Sequence, residues 1–169
     1  MATTLDVFTD GSCINNGRPD AVAGYATVFP EHPDWNEAGR LSRGERQTNN
    51  RGELWGILRA FQIAKEKRGE IPDVSMIVIY TDSQLCVNTF TKWIIGWRKK
   101  GWRKADGGPI ENLDLIQRVY ELMLWFQKEA KWSIGFSHVR AHTRGTTWEA
   151  RWNDVADRMA QSVVEKPGS

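Results

Sequence analysis

This sequence is short of several features that would narrow its class at once. Its 169 residues include only two cysteines, Cys13 and Cys86, without metal-site spacing. That excludes a disulfide scaffold and a zinc module, and free thiols fit a reducing compartment. No apolar run approaches the roughly 20 residues of a membrane-spanning helix. Met1-Ala2-Thr3-Thr4 leads directly into a strand-like run, without the basic and apolar regions of a signal peptide. A cytoplasmic protein with no membrane partner is therefore expected. Repeats, low-complexity tracts and interdomain linkers are also missing. The length reads as one domain, residues 1–164, with residues 165–169 as a flexible tail. A net charge of +2 is too small to name a partner.

The charge is unevenly placed. Lys92, Arg98, Lys99, Lys100, Arg103 and Lys104 fall in one stretch with no acid among them, and Trp93, Trp97 and Trp102 are interleaved. Nine tryptophans is a high count for this length, and a third of them lie here. Cations for phosphates beside flat faces for sugars or bases suit a nucleic-acid groove. The competing reading is an amphipathic helix whose tryptophans face the core.

Periodicity orders the chain. Leu5-Asp6-Val7-Phe8-Thr9-Asp10 reads as a strand broken by Gly11, with Asp10 at its tip. An acid in that place is either held in an Asp-Gly turn or presented to something positive. Residues 22–29 and part of 36–43 give two further strands of an antiparallel meander. Thr48-Asn49-Asn50 caps a helix whose inward stripe is Leu54, Ile57, Leu58, Phe61 and Ala64, with Glu53 beside it. Residues 74–80 form the most apolar run, expected as a strand buried on both faces and ending at Asp82. Helices follow over about 84–92 and 112–128, then a strand over 132–139. Thr146-Thr147-Trp148-Glu149 has capping-box form and opens a last helix with Trp152, Val155, Ala156, Met159 and Val163 inward. Three strands, helix, strand, helices, strand and helix make an α/β protein, a mixed five-stranded sheet with helices on its faces.

Asp10, Glu53 and Asp82 all start or end elements that pack at one sheet edge. Asp154 and Asp157 compete for a fourth place. At 100° per residue, with the stripe centred on Trp152 and Met159, Asp157 lies nearer the sheet. Converging carboxylates repel unless metal ions occupy them, and oxygen ligands suit Mg²⁺ or Mn²⁺. Two such ions about 3.5–4 Å apart are able to drive phosphodiester hydrolysis. Asp6, Glu70 and Asp114 show that unconnected surface acids are equally abundant.

Five segments, in order, resemble type 1 ribonuclease H: Thr9-Asp10-Gly11-Ser12-Cys13, Thr48-Asn49-Asn50-Arg51-Gly52-Glu53, Tyr80-Thr81-Asp82-Ser83-Gln84, Val139-Arg140-Ala141-His142 and residues 153–160. The resemblance implies a ribonuclease H-like fold with strand order 3-2-1-4-5. It also implies cleavage of the RNA strand of an RNA–DNA hybrid, leaving 3′-hydroxyl and 5′-phosphate ends. Asp10, Glu53, Asp82 and Asp157 would hold two Mg²⁺ ions, with Mn²⁺ as the alternative. Asp10 would bridge both, Asp157 would join it at the ion activating water, and Glu53 and Asp82 would hold the other. His142 matches a loop histidine that moves protons or assists product release.

For substrate, the resemblance places Asn16, Asn49 and Gln84 near the hybrid's minor groove, where a 2′-hydroxyl distinguishes RNA. It places Arg46, Thr48 and Asn112 at a DNA-strand phosphate, Trp93 beside DNA sugars, and Arg98, Lys99 and Lys100 on a basic protrusion. Gly11 and Ser12 would bring backbone close to the RNA strand. His32 and His138 match nothing and are expected to be structural or superficial. Ten residues separate His142 from Asn153, longer than the family's usual spacing. The helix is therefore expected to start earlier, near Thr147, and Pro30 to Asp34 reads as an enlarged connection. The sequence lacks the small amino-terminal hybrid-binding module of many eukaryotic members. Met1 and a self-contained fold point to a stand-alone monomer rather than a piece of a reverse transcriptase. An intact set of four acids argues against a non-catalytic hybrid-binding module.

Overall fold

The computed structural model describes residues 3–140 and 147–165. His142 and the tail residues 166–169 lie outside the described residues. The sheet is built from β1 (Thr4–Ile14), β2 (Val22–Val28), β3 (Glu37–Arg40), β4 (Met76–Thr81) and β5 (Ser133–His138) in the order β3-β2-β1-β4-β5. β1, β2 and β3 form the expected antiparallel meander, and β4 and β5 join in parallel. The helices are α1 (Asn49–Lys67), α2 (Gln84–Asn88), α3 (Ile94–Lys99), α4 (Leu113–Trp125) and α5 (Trp148–Glu165). A π turn over Thr89–Trp93 joins α2 to α3, so the expected helix over 84–92 continues into the basic tryptophan stretch. Another π turn, Phe126–Ala130, extends α4.

Alternation along β1 separates two cores, because successive side chains leave a strand on opposite faces. Leu5 and Val7 join Ile57, Leu58, Phe61, Val119 and Phe126 on the face covered by α1 and α4. Phe8 joins Val28, Val139 and Ala156 on the α5 face. Each fully buried large apolar side chain contributes roughly 1.5–3 kcal/mol through burial. Burial on β4 alternates, with Ile77 and Ile79 inaccessible and Met76, Val78 and Tyr80 half-buried. The expectation of burial on both faces is corrected, because the smaller α5 core covers its face of β4 incompletely.

β1 does not end at Asp10. It pairs with β4 only from Thr4 to Phe8, then continues alongside β2 to Ile14. Asp10 therefore lies within the strand, opposite Ala26 on one side and beyond the last β4 pairing on the other. The reading of Asp10 as a strand-tip turn is corrected, because pairing with β2 carries the backbone straight through Gly11.

α5 presents Asn153, Ala156, Ala160 and Val164 as its buried stripe, while Trp152, Val155, Met159 and Val163 flank it half-buried. Small residues let the helix sit close to the sheet, where Val163 and Val164 lie against Gly24 of β2. Its start is capped by Thr147, whose Oγ1 accepts from the Ala150 N–H at 3.1 Å. The cap is therefore one residue later than the Thr146–Glu149 box, and the early start near Thr147 holds. In the 30–34 connection His32 stacks on Trp35 with ring centroids 3.9 Å apart.

Candidate active site

The site forms where β1 overshoots β4. β4 ends at Thr81, and Asp82 follows directly. Asp10 shares the face of Phe8, toward α5, by the alternation of the strand. α1 reaches the same point because two glycines let backbone meet backbone. A Cβ on Gly11 would stand 2.2 Å from the Glu53 amide nitrogen, and one on Gly52 would stand 2.4 Å from the Gly24 carbonyl oxygen. The missing side chain at Gly11 is thus required by the close approach of α1. The close approach delivers Glu53, itself buried, against Asp10.

One carboxylate oxygen from each of Asp10, Glu53 and Asp82 lies within 4.8 Å of the others. Asp10 is 2% exposed and Glu53 4%, yet among the described residues Asp10 Oδ2 and Glu53 Oε2 have no hydrogen-bond partner. Asp10 Oδ1 accepts from the Gly11 N–H at 2.9 Å. Burial, and after it the negative charges of Glu53 and Asp82, raises the Asp10 carboxyl far above its ordinary 3.8. Burial and the Asp82 charge likewise push Glu53 up from 4.5 to about 8.

Asp157 is half-buried on α5, accepts from Gln161 Nε2 at 3.2 Å, and lies close enough to Asp10 to favour its protonated form. Asp154 is exposed and paired with Arg158, as its position away from the sheet implies. Buried, orphaned oxygens converging without a cation are unfavourable in a metal-free protein. An all-oxygen donor set of this kind fits a hard divalent ion.

Beside the acids, Asn16, Arg46, Thr48, Asn49 and Asn112 line one hollow of about 370 Å³. Five of the substrate residues expected from sequence are thus gathered in one place. Thr48 both caps α1, with Oγ1 accepting from the Arg51 N–H at 3.2 Å, and faces this hollow. A second, largely apolar pocket of about 410 Å³ adjoins it through Asn50, Glu111 and Asn112. Trp93, 39% exposed, and Trp97 form part of its wall.

Trp97 and Trp102 pack against the main core, as the amphipathic-helix reading expects, while Trp93 is more exposed. Arg98, Lys99 and Lys100 are exposed at the end of α3, with the Arg98 guanidinium 5.0 Å from the centre of the Tyr120 ring. Gln84 is exposed at the start of α2 and lines neither hollow; its Nε2 donates to Asn88 Oδ1.

Two contributors escaped the sequence reading. His138, expected to be merely structural or superficial, places Nε2 3.2 Å from the Asp82 carbonyl oxygen. Arg51 was visible only as one letter of a motif, but it is buried among Glu45, Asn112 and Asp114. Nothing in sequence ties residue 51 to residue 114. Burial with a weaker contribution from Glu53 also pushes the Cys86 thiol, beneath the site, up to about 12.

The family model described as RNase H matches residues 2–165. Ribonuclease H1 of Mus musculus is 33% identical over 167 residues, covering 98% of this chain and 52% of the mouse protein. The chain therefore spans about half the length of that relative. Ribonuclease H of Treponema denticola is 30% identical over 170 residues, covering 96% of this chain and 98% of the relative. The crystal structure of LC9-RNase H1, described as a type 1 RNase H with the type 2 active-site motif, superposes with a TM-score of 0.65 at 25% identity. It covers 97% of this chain and 73% of that one. A sheet in the order 3-2-1-4-5 carrying buried acids at the β1–β4 edge, matched to that model along nearly its whole length, belongs to the ribonuclease H family.

Proposed function

We propose that this chain is an endonuclease that hydrolyses the RNA strand of RNA–DNA hybrids, acting as a single catalytic domain over residues 1–164 and as a monomer. The convergence of Asp10, Glu53 and Asp82, with two buried carboxylate oxygens left unpartnered, is the observation that carries this reading. Asp157 completes the set from α5. These four acids would hold two Mg²⁺ ions, or Mn²⁺, which would supply Lewis-acid charge at the scissile phosphate and lower the pKa of bound water. The products are then 3′-hydroxyl and 5′-phosphate ends.

The chain's own groups bind and orient the hybrid. Asn16, Asn49 and Gln84 meet the minor groove, where the 2′-hydroxyl marks the RNA strand. Arg46, Thr48 and Asn112 seat a phosphate of the DNA strand, and Trp93 lies against its sugars. Arg98, Lys99 and Lys100 attract further phosphates through long-range charge. His142, outside the described residues, moves a proton at the leaving or attacking oxygen. Free thiols, and no helix among the described residues long and apolar enough to cross a membrane, are compatible with a cytoplasmic site of action.

Incubation of the protein with labelled hybrid, duplex RNA and duplex DNA, with Mg²⁺ or with EDTA, tests this reading. Cleavage confined to the RNA of the hybrid and dependent on Mg²⁺ is expected. Equal cutting of duplex DNA would sink it.

The same site predicts how stability responds to pH. Asp10 and Glu53 have folded-state pKa values raised above their unfolded ones, so the folded protein holds more protons and loses stability as pH rises. For Glu53 the loss runs from about 4.5 to about 8. Each proton held costs about 1.4 kcal/mol per pH unit through this window. Metal-free protein should therefore melt several degrees lower at pH 8 than at pH 5, and millimolar Mg²⁺ should cancel most of that fall at pH 8. Parallel melting profiles with and without Mg²⁺ at both pH values would contradict a metal site here.

A further inference from the structure

The hollow beside the acids has a polarity set by hydrogen bonds made behind it. Thr48 Oγ1 accepts from the Arg51 N–H at 3.2 Å, which leaves its O–H to donate. Asn112 Oδ1 accepts from Arg51 Nη1 at 3.2 Å, which leaves its NH₂ as the amide group for the hollow. Asn16 Oδ1 accepts from the Asn49 N–H at 3.3 Å, with the same result for its own NH₂. Three polar residues have thus spent an acceptor inward and keep their donors, beside the Arg46 guanidinium. The Glu111 carboxylate is the opposing charge on the lining. The Thr48 orientation comes from the α1 backbone at Arg51, and the Asn112 orientation from the Arg51 side chain, which does not line the hollow.

Arg51 also spans the two walls. Its Nε and Nη2 donate to Glu45 Oε1 at 3.1 and 3.0 Å, and its Nη1 and Nη2 donate to Asp114 Oδ1 and Oδ2 at 3.0 and 2.9 Å. Glu45 adjoins Arg46 in the loop wall and also accepts from Trp55 Nε1 at 2.7 Å. Asp114 lies in the first turn of α4, two residues after the left-handed Asn112 at φ 59°. A planar fork alone satisfies this geometry, since an ammonium group lacks five donors in fixed directions. With Arg51 engaged, the Asp114 carboxyl is held below its usual range.

We infer that Arg51 is a positioning residue for the substrate: it never touches the hybrid, but its guanidinium joins the Arg46 loop to the start of α4 and turns the Asn112 donor toward a phosphate. This rests on the hollow being the DNA-phosphate seat proposed above. A residue that only held the fold together would lower thermal stability without changing how charge-dependent binding is shared between KM and kcat.

The test compares Arg51→Lys, Asp114→Asn, Arg46→Ala and the Arg46→Ala/Arg51→Lys double variant of the full chain. Steady-state cleavage of labelled hybrid in Mg²⁺, salt titrations of KM and melting curves are recorded for each. Arg51→Lys is expected to raise KM about tenfold with kcat within about twofold. Asp114 is an exposed carboxylate at the end of the same strut, so Asp114→Asn keeps the fold and should raise KM by a smaller factor even where Arg51→Lys folds poorly. The double variant should raise KM by less than the product of the two single effects, because both act on one seat.

If Arg46→Ala weakens binding and flattens its salt dependence while Arg51→Lys and Asp114→Asn keep wild-type KM, the role of Arg51 is overturned and the seat stands. If Arg46→Ala itself matches wild type in KM and salt slope, the reading of the hollow falls, and this inference with it. Strictly multiplicative effects in the double variant would also overturn the role of Arg51.

Discussion

Asp10→Asn is expected to abolish cleavage of the hybrid while leaving its binding intact. Asp10 is the most centrally placed of the acids, buried with Glu53 and facing both Asp82 and Asp157. An amide keeps the volume but removes the charge that holds a divalent ion, so the expected loss is about a thousandfold or more, roughly 4 kcal/mol of transition-state stabilisation. Binding survives because the phosphate seat and the α3 cations lie outside the acid cluster. Folding should gain, since one of several repelling carboxylates is gone. In metal-free buffer the variant should melt above wild type at pH 8, and its stability should fall less steeply between pH 5 and pH 8. Single-turnover cleavage, hybrid binding in Ca²⁺ and melting curves report these three effects separately. Near-wild-type cleavage by the variant would show that the acids are misassigned.

Gly11→Ala should damage the same site through packing alone. The added Cβ would lie 2.2 Å from the Glu53 nitrogen and 2.5 Å from the Gly52 carbonyl carbon, both backbone atoms of α1. A rotamer change offers no relief, so α1 must shift away from β1 and carry Glu53 away from Asp10. Overpacking of this kind costs about 3 kcal/mol or more, a fall in melting temperature of roughly 10 °C at this chain length. Cleavage should fall further than stability explains, because the acid cluster opens. Gly96→Ala is the matched control: it lies on α3 with nothing within 4 Å of the new methyl group, and an exposed helical glycine is stabilised by alanine. Equal melting temperatures for Gly11→Ala and wild type would refute the close packing of α1 on β1.

Local periodicity made most of the elements readable. The β-favouring bulk of residues 5–8, the apolar run over 74–80 and the 3.6-residue stripe of α1 are properties of neighbours in sequence, and the fold uses them as strands and helix, whereas the one-faced burial of β4 depends on how much of it α5 covers. The length of β1 was not local. It continues through Gly11 because β2 offers partners as far as Val22, and no property of Asp10-Gly11 announces that. The rotation of α5 was misread for a different reason. Trp152 and Met159 are the bulky residues of the stripe, but helix and sheet approach closely enough that Ala156 and Ala160 take its centre. Hydrophobicity pointed at size, whereas close packing selected smallness. Asp157 survived that error because it flanks the stripe on either phase. The Arg51 fork and the His138 contact with Asp82 depend on where α4 and β5 land in three dimensions, so their sequence context was silent.

The position of α5 against β1 and β2 also has a consequence in time. Asp10, Glu53 and Asp82 are synthesised first, and 74 residues of chain separate Asp82 from Asp157. At roughly 5–20 residues per second, a ribosome takes about 4–15 s to cross that interval. During it the nascent chain carries three acids of the cluster and the residues proposed to meet the hybrid, but not the helix that covers the Phe8 face of the sheet. On the proposed reading the four-acid set is complete only when α5 docks, and a growing chain tethered near RNA would stay unarmed until then.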